Sequence, residues 1–254
     1  MNKNNYISLA KKTADLQIKE LKKIKKVLNK SFILAVDSIL NCKGKVVCAG
    51  IGKSGLIARK ISATFSSVGI PSFFCDPAQA LHGDMGQIEK KDLLIIFSYS
   101  GNTSELNNML KYANRFRIKI IGIASKSDSL LMKASDVKLL LPRVKESDAT
   151  GMVPTSSTSI TLLLGDCLAA TVISKKKFSK EKFKIFHPGG NIGNSLLLAK
   201  DIMVVGKKLP LIDYKKNLGE ALKVINRKKL GVVIVLKNKY IAGIVTDGDL
   251  RRET

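Results

Sequence analysis

The sequence predicts an α/β chain: a doubly wound parallel sheet with helices on both faces, followed by a small βαββ module. Three observations predict it. Short apolar runs alternate with stretches of helical spacing, the pattern of parallel strands joined by crossover helices. Polar, glycine-containing loops follow several of those runs, where open sheets of this kind bind ligands. Near Asp201 a second, shorter set of elements begins.

Taken in order, residues 5–41 read as helix, because Ile7, Leu9, Ala10, Ala14, Leu16, Ile18, Leu21, Ile24 and Leu28 keep roughly helical spacing. A strand is expected at Lys45–Ala49, then a glycine loop and a helix from Ser54 to Val68. Further strands are expected at Ser72–Cys75, Leu93–Phe97, Lys119–Ala124 and Val137–Leu141, with a helix-like stretch from Ser104 to Arg115. A long helix should run from about Ser157 to Ser174. After Asp201-Ile202-Met203 comes a turn at Leu209-Pro210 and a helix with Leu218, Ala221, Leu222 and Ile225 on one face. Gly231–Leu236 and Tyr240–Thr246 then form a hairpin across Lys237-Asn238-Lys239. The expected division is residues 1–200 and 201–254, the second module small and incomplete.

Composition bounds the function. The 254 residues are 45% hydrophobic, enough for a sizeable core, and carry a formal net charge of +24. The lysines are spread over the whole chain with abundant asparagine, and no basic stripe interleaved with aromatics appears. The charge therefore reads as compositional bias that favours small anionic ligands, and no nucleic-acid partner is expected. No apolar run reaches the ~18 residues of a membrane span; Ile160–Ile173 is too short and contains Asp166. The amino terminus has lysines without an apolar stretch, so neither a signal peptide nor a membrane partner is expected. Cys42, Cys48, Cys75 and Cys167 form no CxxC pair and read as free thiols of a cytoplasmic protein.

The most informative segment is Phe97-Ser98-Tyr99-Ser100-Gly101-Asn102-Thr103-Ser104-Glu105. Small hydroxyls around a glycine, between a strand and a helix start, can surround a phosphate and place Glu105 beside it. Gly50-Ile51-Gly52-Lys53-Ser54-Gly55 matches the dinucleotide fingerprint literally, with Asp76 near the distance of a ribose-binding acid. A nicotinamide dehydrogenase therefore stays open as a rival, although Lys53-Ser54 suggests electrostatic work. A third hydroxyl cluster, Thr155-Ser156-Ser157-Thr158, opens the long helix. Three such clusters favour one polyoxygenated, phosphorylated ligand. His82 and His187, the two histidines of the chain, precede turn residues and suit proton transfer near neutrality. Glu146 follows the strand ending at Leu141 and adds a carboxylate to the same rim. No H-x3-H or C-x2-C spacing suggests a metal site.

Together these residues resemble the sugar isomerase (SIS) domain, and closely the D-arabinose 5-phosphate isomerases of bacterial lipopolysaccharide synthesis. The resemblance rests on Gly50–Gly55, Pro71-Ser72-Phe73-Phe74, His82-Gly83-Asp84, Ser98–Glu105, Lys145-Glu146, Pro154–Thr158, Gly165-Asp166 and His187-Pro188-Gly189-Gly190, and covers nearly all of residues 1–200. It implies the SIS fold, a metal-free and cofactor-free aldose–ketose isomerase, and catalytic roles for Lys53, His82, Glu105, Glu146 and His187. It also implies that Gly52, Ser54, Ser98, Ser100, Gly101, Thr103, Ser156, Ser157 and Thr158 hold phosphate and sugar hydroxyls. By the same resemblance a homotetramer with active sites shared between subunits is expected. Residues 201–254 resemble a single, truncated CBS motif through Asp201-Ile202-Met203 and Thr246–Arg252, with a nucleotide as its candidate ligand. Asn102, where relatives often have an acid, and Ser147-Asp148-Ala149-Thr150 depart from the family pattern. An isomerase of another sugar phosphate and a non-catalytic sugar-phosphate regulator remain alternatives.

Overall fold

The computed structural model describes residues 4–177, Phe183, Phe186 and 198–253. The chain divides into two compact units, Met1–Gly193 and Asn194–Thr254. The first contains a five-stranded sheet in the order β2-β1-β3-β4-β5. Its strands are β1 (Val46–Gly50), β2 (Ser72–Cys75), β3 (Leu93–Phe97), β4 (Lys119–Ala124) and β5 (Val137–Leu140), every neighbouring pair parallel. β1 and β3 are buried at all five positions, as expected for central strands covered on both faces.

Two apolar clusters face the two sides of this sheet. One joins Cys48, Ile95, Phe97 and Ile121 to Phe65, Ile61, Leu164 and Leu168. The other joins Val47, Leu94, Ile96 and Ile120 to Leu106, Met109 and Leu110. Alternate residues of each strand feed opposite clusters, which follows from the two-residue period of a strand. The helices between strands are α3 (Gly52–Ser67), α4 (Leu106–Phe116) and the short α5 (Leu130–Ala134). α6 (Ser156–Lys175) closes the unit.

The stretch expected as one helix over 5–41 is two helices, α1 (Asn4–Leu21) and α2 (Lys30–Leu40), joined by a 3-10 turn over Lys22–Lys26. The periodicity runs through the junction, but Asn29 takes an extended conformation and its side-chain oxygen accepts the Ser31 amide at 2.9 Å, starting a new helix. α6 is long and apolar enough to cross a membrane by length and composition, and about half of it is buried. Leu164, Leu168 and Val172 lie in the apolar cluster shared with α3, so its apolarity is that of a core helix. A Cβ at Gly165 would stand 2.5 Å from Ile61 of α3. This member of the Gly165-Asp166 motif therefore serves helix packing.

The second unit contains α7 (Ala199–Ile202), β6 (Leu211–Asp213), α8 (Leu218–Lys228), β7 (Val232–Lys237), β8 (Tyr240–Thr246) and α9 (Asp247–Glu253). β6 pairs parallel with β7, which forms an antiparallel hairpin with β8. A small core of Ala221, Ile225, Val233 and Leu250 holds it together. Asp249 starts α9 by accepting the Thr246 amide at 2.9 Å and its hydroxyl at 2.7 Å.

Candidate active site

The last paired rung between β1 and β3 is Gly50 opposite Phe97. Two loops leave the sheet there, one into α3 and one toward α4. β1 continues to β2 on one side while β3 lies on the other, so the chain reverses direction across the sheet at this crevice, the usual ligand position in such folds. A cavity of about 330 Å³ opens at this point. Ile51 and the first-turn residues Lys53 and Ser54 of α3 line it on one side, and Ser98, Tyr99, Ser100 and Thr103 of the second loop on the other. Glu146, Pro154, Ser157, Thr158 and Thr161 complete the wall. Roomier cavities of about 390 and 560 Å³ lie elsewhere, but neither gathers such a set of hydroxyls.

Each wall has a local cause. α3 begins at Gly52, so the amides of Gly52, Lys53 and Ser54 belong to a first helical turn and have no partner within the helix. With the exposed Lys53 ammonium they form an anion-binding end. The second loop is organised by its own hydroxyls. Ser98 and Thr103 share a hydrogen bond of 2.9 Å, and the Gly101 amide donates to Ser98 Oγ at 3.1 Å. Gly101 has φ +69°, and a Cβ there would stand 2.2 Å from the Ser129 hydroxyl. The tight turn thus needs glycine for both conformation and space. Asn102 is not a cavity residue; its Oδ1 accepts the Leu130 amide at 2.9 Å and ties the loop to the start of α5.

Glu146 stands at the amino end of α6. Its Oε2 accepts the Thr155 amide at 2.7 Å, the Thr155 hydroxyl at 2.9 Å and the Ser157 amide at 3.3 Å. Burial works to raise its pKa, but the bonds from Ser157 and Thr155 outweigh it and hold the carboxyl below its ordinary value. Glu146 is therefore a carboxylate at neutral pH. Asp148, in the segment that departs from the family pattern, accepts the amides of Thr150 at 2.8 Å and Val153 at 3.0 Å. It shapes the turn that brings Thr155 back to Glu146.

The cavity thus gathers Lys53, Ser54, Ser98, Ser100, Thr103, Glu146, Ser157 and Thr158 from the residues singled out in the sequence. Gly52, Gly101 and Ser156 do not line it. Ser156 is fully buried, and its hydroxyl has no hydrogen-bond partner among the described residues. Two acid/base candidates stand outside this wall. His82 is exposed at the end of a 3-10 helix over Gln79–His82. Glu105 is exposed just before α4, where its own amide and the Ser104 hydroxyl hold its carboxyl below the ordinary value. His187 lies outside the described residues. Sequence reasoning missed Ile51, Tyr99, Pro154 and Thr161. Thr161 was findable, since it sits three and four residues beyond Thr158 and Ser157 on one helix face. Among the described residues no three His, Cys, Asp or Glu side chains come together as a metal site would require.

Residues 39–171 match the SIS domain family. The chain belongs to the SIS domain family. The matched stretch contains every residue that lines the cavity. This SIS domain chain is 42% identical over 234 residues to arabinose 5-phosphate isomerase KdsD of Escherichia coli K12, which spans 91% of this chain and 71% of that protein. It is 40% identical over 250 residues to KdsD of Salmonella typhi, spanning 98% of this chain and 76% of the relative. Among solved structures, the E. coli CFT073 protein c3406 in complex with arabinose 5-phosphate superposes with a TM-score of 0.69 at 34% identity, covering 74% of this chain and all of that one.

Proposed function

We propose that this SIS domain protein is an arabinose 5-phosphate isomerase, interconverting D-ribulose 5-phosphate and D-arabinose 5-phosphate through an enediol. The supporting observation is the cavity itself: an ionised Glu146, the Lys53 ammonium and a cradle of hydroxyls and helix-start amides surround one volume of sugar-phosphate size.

An aldose–ketose isomerase moves one proton between C1 and C2. Starting from the ketose, Glu146 takes a proton from C1, and the C–H electrons form the C1=C2 bond. Negative charge develops on O2, where the Lys53 ammonium stabilises it. The O1 proton moves to O2, the proton held by Glu146 exchanges with solvent, and Glu146 then protonates C2 as the C1 carbonyl forms. Three bonds converge on Glu146 Oε2, and Oε1 is the oxygen assigned to the migrating proton. The first turn of α3 with Ser54, Ser98, Ser100 and Thr103 holds the phosphate; Ser157 and Thr158 hold sugar hydroxyls.

His82, Glu105 and His187 complete the reading as proton relays at O1, O2 or in ring opening. Exposure of His82 and Glu105 in one chain is consistent with sites shared in a homotetramer, in which His187 serves a neighbouring subunit. The protein would act in the cytoplasm, its product feeding lipopolysaccharide synthesis. Residues 201–254 are read as a single CBS motif. A nucleotide's phosphates would meet Lys216, Lys223 and Arg227 in the 390 Å³ cavity of the second unit.

The test is incubation with D-ribulose 5-phosphate and EDTA in heavy water, followed by NMR, with Glu146→Gln in parallel. Arabinose 5-phosphate carrying deuterium at C2, absent with the variant, is the expected result. No turnover by the wild type would sink the assignment.

A further inference from the structure

The segment that carries Glu146 lies beyond the end of β5 and outside the sheet's hydrogen-bond ladder. Side chains from other elements hold its backbone instead. Tyr99 Oη accepts the Val144 amide at 2.9 Å and donates to the Pro142 carbonyl at 3.3 Å. One residue further on, the Lys145 amide donates to Glu20 Oε2 at 3.1 Å. Gln17 Nε2 donates to Ser147 Oγ at 3.2 Å, and Gln17 Oε1 accepts the Ser159 hydroxyl at 2.9 Å. Lys23 reaches the Arg143 carbonyl at 3.4 Å and pairs with Glu20. Residues 145 and 147, the two neighbours of Glu146, are thus both held by α1.

Glu20 is the informative member. It is 4% exposed on a helix whose other charged residues face solvent. A buried carboxylate is costly unless paired and hydrogen-bonded. Here the Lys23 ammonium and the Lys145 amide supply both needs. Gln17, one turn earlier, makes a two-ended bridge between the Glu146 segment and α6, the helix whose start Glu146 caps. Both residues lie outside the stretch matched to the SIS domain family.

We propose that Gln17 and Glu20 are positioning residues for Glu146: α1 fixes the two residues flanking the carboxylate, so that its position against the substrate carbon is set from outside the family's common core. Neither side chain lines the cavity, so their effect passes through Glu146. Misplacing a reacting group by about 1 Å costs on the order of 10²-fold in rate, whereas phosphate binding depends on other loops. Removing the clamp should therefore lower kcat and leave KM nearly unchanged. The inference rests on Glu146 acting as the base.

The experiment is steady-state isomerisation of D-ribulose 5-phosphate by the full chain, with Glu146→Gln, Gln17→Leu, Glu20→Ala and Glu20→Gln compared with wild type. Glu146→Gln should be silent. Gln17→Leu and Glu20→Ala should lose about tenfold or more in kcat with KM within about twofold. Glu20→Gln, whose amide oxygen still accepts the Lys145 amide, should recover most of that loss. If Glu20→Ala does not fold, Gln17→Leu decides, its folding checked by circular dichroism and Tm. A silent Glu146→Gln with a folded Gln17→Leu at wild-type kcat overturns the inference and leaves the proposed function standing. Full activity of Glu146→Gln removes the base assignment and this inference with it.

Discussion

Glu146 accepts both the amide and the hydroxyl of Thr155 through one oxygen, at 2.7 and 2.9 Å. The residue proposed as the base therefore also closes the start of α6. An N-terminal helix end favours negative charge, and the carboxylate supplies it from a neighbouring loop. The same bonds that keep Glu146 ionised anchor it to the most deeply packed helix of the unit, so its chemistry and its structural role are expected to titrate together.

That coupling sets a pH dependence. The folded-state pKa of Glu146 lies below its ordinary value of 4.5, and so does that of the buried Glu20, chiefly through its bond with Lys23. Their contribution to stability is complete above pH 4.5 and is lost as pH falls through the depressed folded values. Thermal melts should show Tm dropping only in that acid range, with a shallower drop in Glu146→Gln. In activity, the acid limb of kcat/KM due to Glu146 should lie below 4.5.

The turn at Gly101 should tolerate no side chain. Gly101→Ala puts a methyl against the Ser129 hydroxyl and demands a left-handed conformation. A loss of about 2–3 kcal/mol in urea denaturation is expected. Ser129→Gly in the same chain should recover part of it by vacating the space. A Gly101→Ala protein as stable as wild type would mean that the loop relaxes freely.

Thiol chemistry offers an independent check of the core. Burial pushes Cys48 up to about 12 and Cys75 up to about 11, so both should resist alkylation in the native state at pH 8. Cys42 and Cys167 are half-buried, their thiols also raised mainly by burial, and should react slowly. Mass spectrometry after brief iodoacetamide treatment should find at most these two modified, and all four after denaturation. Rapid modification of Cys48 in native protein would contradict its place in the central strand.

Much of this was legible in the sequence because local signals and tertiary packing agree. β2, β3 and β4 fall on the expected residues, since each is a short apolar run ended by turn chemistry. The apolar spacing continues through Ile24 and Leu28 and so predicts one helix over α1 and α2; Asn29 breaks it by capping, a signal carried by one side chain. β6, the first strand of the expected βαββ module, is only three residues long, and its bounds come from pairing with β7 rather than from a local pattern. In the site, hydroxyl clusters and Glu146 were visible as residue types on strand-end loops. The work of Gln17 and Glu20 was not, because it depends on contacts spanning more than a hundred residues of chain.

The pairing of Gly50 with Phe97 has a consequence for how such a protein can change. Lys53 stands in the first turn of α3 and Ser98 on the loop after β3, yet both segments leave the sheet from the same rung. The spacing of the two backbones where they leave the sheet is set by the strand pairing. Such a rung acts as a ruler. Loop residues beyond it can be exchanged for others, while the two backbones keep the spacing at which they leave the sheet.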